Sequence, residues 1–275
     1  MRNIFALVAL SLLATLFLGG CGSSGGHPGT PVGSIRNFQG LLGPLDARGF
    51  MVVQRTEVWQ ELWAGQQPPA VDFNKESVVV SNMGKQSGEG FNISMTDGRL
   101  NNGLYTAYIA ETRPKSKVLT GAPTTPYSMM VVPKFSSPLS FVLESSKGMA
   151  QPAILDEFLG QQSRTAAPDT AVLTDVNGWR TYCDEKLGLT PLPVIDFNIN
   201  IVVAILLGEK STAGYATLIT GARVKDEKMI ITYRVRAPQA GDITAQVITH
   251  PYATAVIQRT EMPIVFRDVS RDEWK

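Results

Sequence analysis

Hydrophobic positions along the chain fall into blocks of two kinds. Ile199 to Leu207 (INIVVAILL) is rich in β-branched side chains and of strand length, and Tyr215 to Thr220 follows it with Thr, Leu and Ile in short succession. Such residues suit a pleated, half-buried surface, so both blocks predict strands. Phe50–Val53, Ser77–Asn82, Gly90–Thr96, Leu104–Glu111, Tyr127–Val132 and Leu139–Leu143 are blocks of the same kind. Gly, Pro, Asn and Asp punctuate them at the spacing of antiparallel strands. Asp226 to Val235 is the clearest hairpin signal, polar turn residues leading into an alternating strand.

The second kind of block has helical spacing. Val58, Trp59, Leu62 and Trp63 fall on one helical face, with Thr56 placed to cap the start and Gly65 the end. Trp179, Tyr182, Cys183 and Leu187 repeat the plan after Ala171-Val172-Leu173, with Gly188 as the stop. Aligning the tryptophans sets Cys183 opposite Trp63, so Cys183 is expected to pack on a buried face, since free Cys behaves as a small hydrophobe. Ala153 to Gly160 (AILDEFLG) suggests a short amphipathic helix between the halves.

The halves also match residue by residue. Residues 84–96 lie over 208–220 at a constant offset, with Gly84, Ser87, Gly90 and Thr96 on Gly208, Ser211, Gly214 and Thr220. Val71-Asp72-Phe73-Asn74 lies over Ile195-Asp196-Phe197-Asn198 at the same offset. By Pro126-Tyr127 on Pro251-Tyr252, and Pro138 to Phe141 on Pro263 to Phe266, the offset has grown by one residue. This pattern reads as an internal duplication, and two units of about 100 residues suit two small domains better than a solenoid.

The expected fold class is therefore α+β: two similar, mainly antiparallel β domains, each with one packed helix. The boundaries are a first domain over 36–148, a linker over 149–164 and a second domain over 165–275, each domain large enough to fold separately.

The start of the chain has its own pattern. Arg2 precedes an apolar stretch from Ile4 to Leu18 and then Leu18-Gly19-Gly20-Cys21. The stretch is short for a membrane span, which needs roughly 20 residues, and suits the core of a secretory signal. Small residues before a Cys resemble the lipobox of bacterial lipoproteins. That resemblance implies a signal peptide over 1–20, lipidation of Cys21, and, with Gly22 next, an outer-membrane destination. Residues 21–35, rich in Gly, Ser and Pro, read as a flexible tether.

Charge changes the picture little. The full chain carries a formal +1, and losing residues 1–20 with Arg2 leaves it neutral. Without a basic run or patch, nucleic acid is not an expected partner.

Candidate chemistry resolves mostly into turns. Gly208-Glu209-Lys210-Ser211-Thr212 imitates the end of a phosphate loop, but the first glycine of that spacing is replaced by Ile205 and the loop leads into a strand rather than a helix. Gly22-Ser23-Ser24-Gly25-Gly26 spells G-x-S-x-G without the strand and helix a nucleophile elbow needs. Asp72-x-Asn74-x-Glu76 and Asp196-x-Asn198-x-Asn200 begin like calcium loops, yet Ser77 and Ile201 replace the required glycine, and Met83 and Leu207 stand where a carboxylate must coordinate. Asx turns launching a strand are expected instead. Of the two histidines, His27 lies in the tether and His250 in a loop expected to be solvated. The expectation is no catalytic residue, no metal site and no cofactor.

The helix with a central Trp, [VI]-D-F-N, a strand ending in Gly, G-[FY], a Pro-containing turn and P-Y before a last strand together resemble the PrcB C-terminal domain family. The marks are Trp59, Asp72, Phe73, Gly84, Gly90, Phe91, Pro114, Pro126, Tyr127 and Phe141, then Trp179, Asp196, Phe197, Gly208, Gly214, Tyr215, Pro238, Pro251, Tyr252 and Phe266. The family is named for a lipoprotein subunit that binds and stabilises a surface protease. The resemblance thus implies a noncatalytic, lipid-anchored cell-envelope protein whose partner is an envelope protein, a protease complex being the candidate. The alternative is a glycan- or small-molecule-binding module, for which a cleft lined by Trp and Tyr would be the sign; an enzyme comes last.

Overall fold

The computed structural model describes residues 27–64, 66–115, 121–136, 138–146 and 149–270. The first half runs β1 (Thr30–Pro31), β2 (Arg36–Gly40), β3 (Gly49–Val53), α1 (Thr56–Leu62), β4 (Glu76–Asn82), β5 (Asn92–Asn101), β6 (Leu104–Thr112), β7 (Tyr127–Pro133), β8 (Leu139–Leu143) and β9 (Ala150–Gln151). The second runs β10 (Ile154–Gly160), β11 (Asp169–Leu173), α2 (Val176–Tyr182), β12 (Asn200–Leu206), β13 (Ala216–Lys225), β14 (Lys228–Arg236), β15 (Tyr252–Gln258) and β16 (Ile264–Asp268). The protein is mostly β with few helices, consistent with an α+β fold.

Eight strands form one sheet in the order β11-β12-β15-β10-β3-β4-β7-β2. It crosses from the second half to the first where β10 meets β3 in parallel, Ile154 opposite Met51. The remaining strands form a five-stranded sheet, β1-β5-β6-β8-β9, and a three-stranded one, β13-β14-β16. Tight hairpins set their registers: Asn102 and Gly103 join β5 to β6, and Asp226 and Glu227 join β13 to β14, all four at positive φ. Two-residue loops of this handedness match the twist of the strands they connect.

Both faces of the large sheet are covered, which explains the continuous apolar runs. On one face, Met51, Val53, Val78, Val80, Met129 and Val131 pack with α1, and Ile201, Val203, Ile205, Ala253, Ala255 and Ile257 pack with Leu218, Ile219 and Ile231 of the three-stranded sheet. All belong to one continuous core. On the other face, Phe50, Val52, Val79, Met130 and Val132 lie under the five-stranded sheet. Val202, Ala204 and Leu206 lie under Trp179, Tyr182, Cys183 and Leu187 there. Each Val, Leu, Ile, Phe or Met among them contributes roughly 1.5–3 kcal/mol by leaving water.

Three expectations need correction. Residues 154–160 are neither linker nor helix: β10 is an inner strand of the large sheet, bonded to β15 along its length. The halves accordingly share a sheet and a core instead of forming two self-contained units. Residues 27–32 of the expected tether are packed on the body, His27 stacking on Tyr108 with ring centroids 3.6 Å apart and Val32 donating its amide to Gly98 O at 2.8 Å, while 21–26 lie outside the described residues. Thr56 does not cap α1, whose N-cap is Arg55 with no side-chain cap bond.

Candidate interaction surface

The contact between β10 and β3 shows what this fold does with the edge beside a helix N-terminus. The Arg55 side chain leaves the start of α1 and donates to Asp156 Oδ2 at 2.8 Å and to Glu157 O at 3.1 Å, with its guanidinium 4.0 Å over the Phe158 ring. Arg236 grips the Glu61 carboxylate with two nitrogens, Nε to Oε1 at 3.0 Å and Nη2 to Oε2 at 2.8 Å. Arg234 Nη2 donates to the Glu61 carbonyl at 2.7 Å. Gly49 and Gly221 allow the backbones to meet: a Cβ on Gly49 would lie 2.4 Å from Thr220 O. Glu157 is buried at the centre of this junction, its Oε1 accepting the Ile219 amide at 2.7 Å. Burial pushes its carboxyl well above the usual carboxylate range, against the lowering effect of the Ile219 bond.

At the far end of the same sheet, β11 pairs, among the described residues, only with β12. Every residue of β3 is buried, whereas β11 is half exposed along its length. Val172 and Val176 stand 38% and 48% exposed at this end. Asp175 caps α2, Oδ1 accepting the amides of Asn177 at 3.0 Å and Gly178 at 2.9 Å. At the opposite end β2 is likewise an outermost strand, with β7 as its one neighbour among the described residues, but its side chains are engaged. Arg36 of β2 is paired with Glu76 at 2.6 Å, Gln39 donates to Asn92 Oδ1 at 2.9 Å, and β1 covers the outer edge of β5.

The residues singled out in the sequence are placed as follows. Lys210 turns back onto its own loop, Nζ donating to Leu207 O at 2.7 Å, while the Lys210 amide bonds Thr249 O at 2.8 Å. Gly208 and Gly214 both have positive φ, and the loop connects β12 to β13 as a strand connection should. Asp72 Oδ1 accepts the Asn74 amide and Asp196 Oδ1 the Asn198 amide, the expected Asx turns ahead of β4 and β12. Cys183 is fully buried, and burial pushes its thiol up to about 12. His250 is less free than expected, its backbone bonding Gln161 O and Ser163 N at 2.8 and 2.9 Å. Its Nε2 lies 4.0 Å from Glu209 Oε2. Trp59, Trp63 and Trp179 are buried, so they line a core rather than a cleft. Among the described residues no group of three or more His, Cys, Asp or Glu is arranged to hold a metal ion. Cys21 lies outside the described residues.

The backbone carries the same message at two further places. Gly160 lies under the Tyr252 ring, where a Cβ would come within 2.3 Å of a ring carbon, and Gly40 lies likewise against Tyr127 at 2.9 Å. Pro238 packs on Gly214 as Pro114 packs on Gly90. The PrcB C-terminal family model matches residues 201–258. This PrcB-like segment takes in β12, β13, β14, β15 and the 208–214 connection, so the likeness rests on strands and tight turns of the second half. No curated protein and no solved structure matches the chain.

Proposed function

We propose that this chain is a noncatalytic cell-envelope lipoprotein that binds and stabilises a protein partner, a protease complex being the candidate that PrcB likeness brings forward. The match over 201–258 carries the reading. We also propose that the halves are two copies of one unit, as the repeated residues and the parallel order of elements suggest. In this reading Cys21 is acylated and holds the protein at the outer membrane. Several acyl chains anchor stably where one would be marginal. A subunit that binds only the folded form of its partner lowers the population open to proteolysis, and needs no reactive side chain to do so.

Deleting the gene is expected to shorten the lifetime of at least one envelope protein with its transcript unchanged, read by pulse-chase with quantitative proteomics. A Cys21→Ser variant is expected to lose label from a fatty-acid analogue. Unchanged envelope proteomes, together with turnover of a substrate that His250→Ala abolishes, would instead establish an enzyme.

A further inference from the structure

We propose that the open edge formed by β11 and the start of α2 receives an extended segment of the partner protein, added as a further strand parallel to β11. The segment would carry a basic side chain against Asp175. The inference rests on the partner-binding reading and on the two-copy reading above, and it names the surface involved.

The internal junction is the template. In the first half the strand before the helix, β3, is paired by β10 in parallel, with Ile154 opposite Met51. Two residues further along, Asp156 meets Arg55 at the N-cap of α1. The matching strand in the second half is β11, with Ala171 in the place of Met51 and Asp175 in the place of Arg55. The charge at the N-cap is reversed. A strand seated on β11 as β10 sits on β3 would therefore place an apolar residue opposite Ala171 and, two positions on, a Lys or Arg beside Asp175. Val172 and Val176 supply exposed apolar surface along that path.

The edge itself is suited to pairing. Natural edges are blunted by Lys, Pro, bulges or cover. β11 reads Asp169-Thr170-Ala171-Val172-Leu173, with one charge at its start and no proline. β16, at the margin of the three-stranded sheet, carries Arg267 and Asp268 within it. Strand addition of this kind draws affinity from main-chain bonds and specificity from side chains at alternate positions.

A second copy of this chain is the rival occupant, because Arg36 on β2 takes the place of Asp156. Two features oppose it. Arg36 is already paired with Glu76. Asp169 stands where Gly49 makes its close approach, and the matching position on β5 is Asp97, so two carboxylates would meet where two glycines do now.

The test uses the chain's own β10 as probe. A fluorescent peptide of residues 152–160, PAILDEFLG, is compared with its D156K form for binding to the soluble chain from residue 22 onward. The D156K peptide is expected to bind the wild type about two- to fivefold more tightly than the parent peptide, the range for a partly exposed ion pair. Asp175→Asn keeps the cap and removes the charge, so it should erase the difference without moving Tm. Asp175→Arg, an N-cap residue that α1 already uses, should reverse the preference. Equal binding of both peptides to all three proteins overturns the proposal, as does self-association of the wild type that Asp175→Arg abolishes. If gene deletion destabilises a partner but the Asp175→Arg chain restores it fully, partner stabilisation stands and this docking surface falls.

Discussion

Glu157 is the residue whose chemistry is most displaced by the fold. Its carboxyl is raised first by burial, and Asp156 and Glu61 raise it further, while the Ile219 amide and Arg234 lower it. For an acid whose folded value lies above its unfolded one, the folded state holds the proton longer. Stability then falls as pH climbs above the unfolded carboxylate range towards the folded value, by about 1.4 kcal/mol per pH unit inside that window. Glu157→Gln, which can keep the bond to the Ile219 amide, should therefore flatten the dependence of Tm on pH between 5 and 8 and raise Tm at the alkaline end. Thermal melts across that range decide it, and an unchanged slope would show that Glu157 is not the group responsible. Cys183 gives a second prediction at this scale. With its thiol buried and pushed up to about 12, it should resist iodoacetamide at pH 8 in the folded chain and label fully in urea. Its burial was readable from helical spacing alone, because Trp179, Tyr182 and Leu187 mark the same face.

At the scale of elements, the legible strands were those with unbroken apolar runs, such as Ile201 to Leu206, since burial on both faces leaves no polar residue to blur the pattern. The element read as the wrong kind was β10, a strand taken for a helix. Ile154, Leu155, Phe158 and Leu159 stand at helical spacing, and a register shift between Ile154 and Asp156 breaks the alternation a strand would show. Glu157, pointing into the core, supplies a charge where the pattern calls for an apolar residue. The candidate surface was hidden for the same reason, because which edge of β11 is left open depends on where β10 goes. The position of β10 also sets the unfolding behaviour. Urea denaturation of the full chain followed by tryptophan fluorescence and by circular dichroism should give one coincident transition. Residues 165–275 alone, lacking the strand that pairs with β15, should fail to unfold cooperatively, while 149–275, which retain it, should recover part of the transition. Two separated transitions in the full chain would restore the picture of independent domains.

At the scale of the whole molecule, the two-copy reading makes the junction head-to-tail. The first half offers its β3 edge and the second fills it with β10. Contacts of this kind do not close on themselves and have no inherent stopping point, so they are the geometry from which filaments grow. Here growth would have to pass the segment 27–32, which lies along β5 at Gly98, next to the position matching Gly221. Terminal repeats of stacked proteins are closed by such atypical pieces. In that reading the segment would act as a counter, letting the β10–β3 contact happen once within a chain and stopping the tally at two.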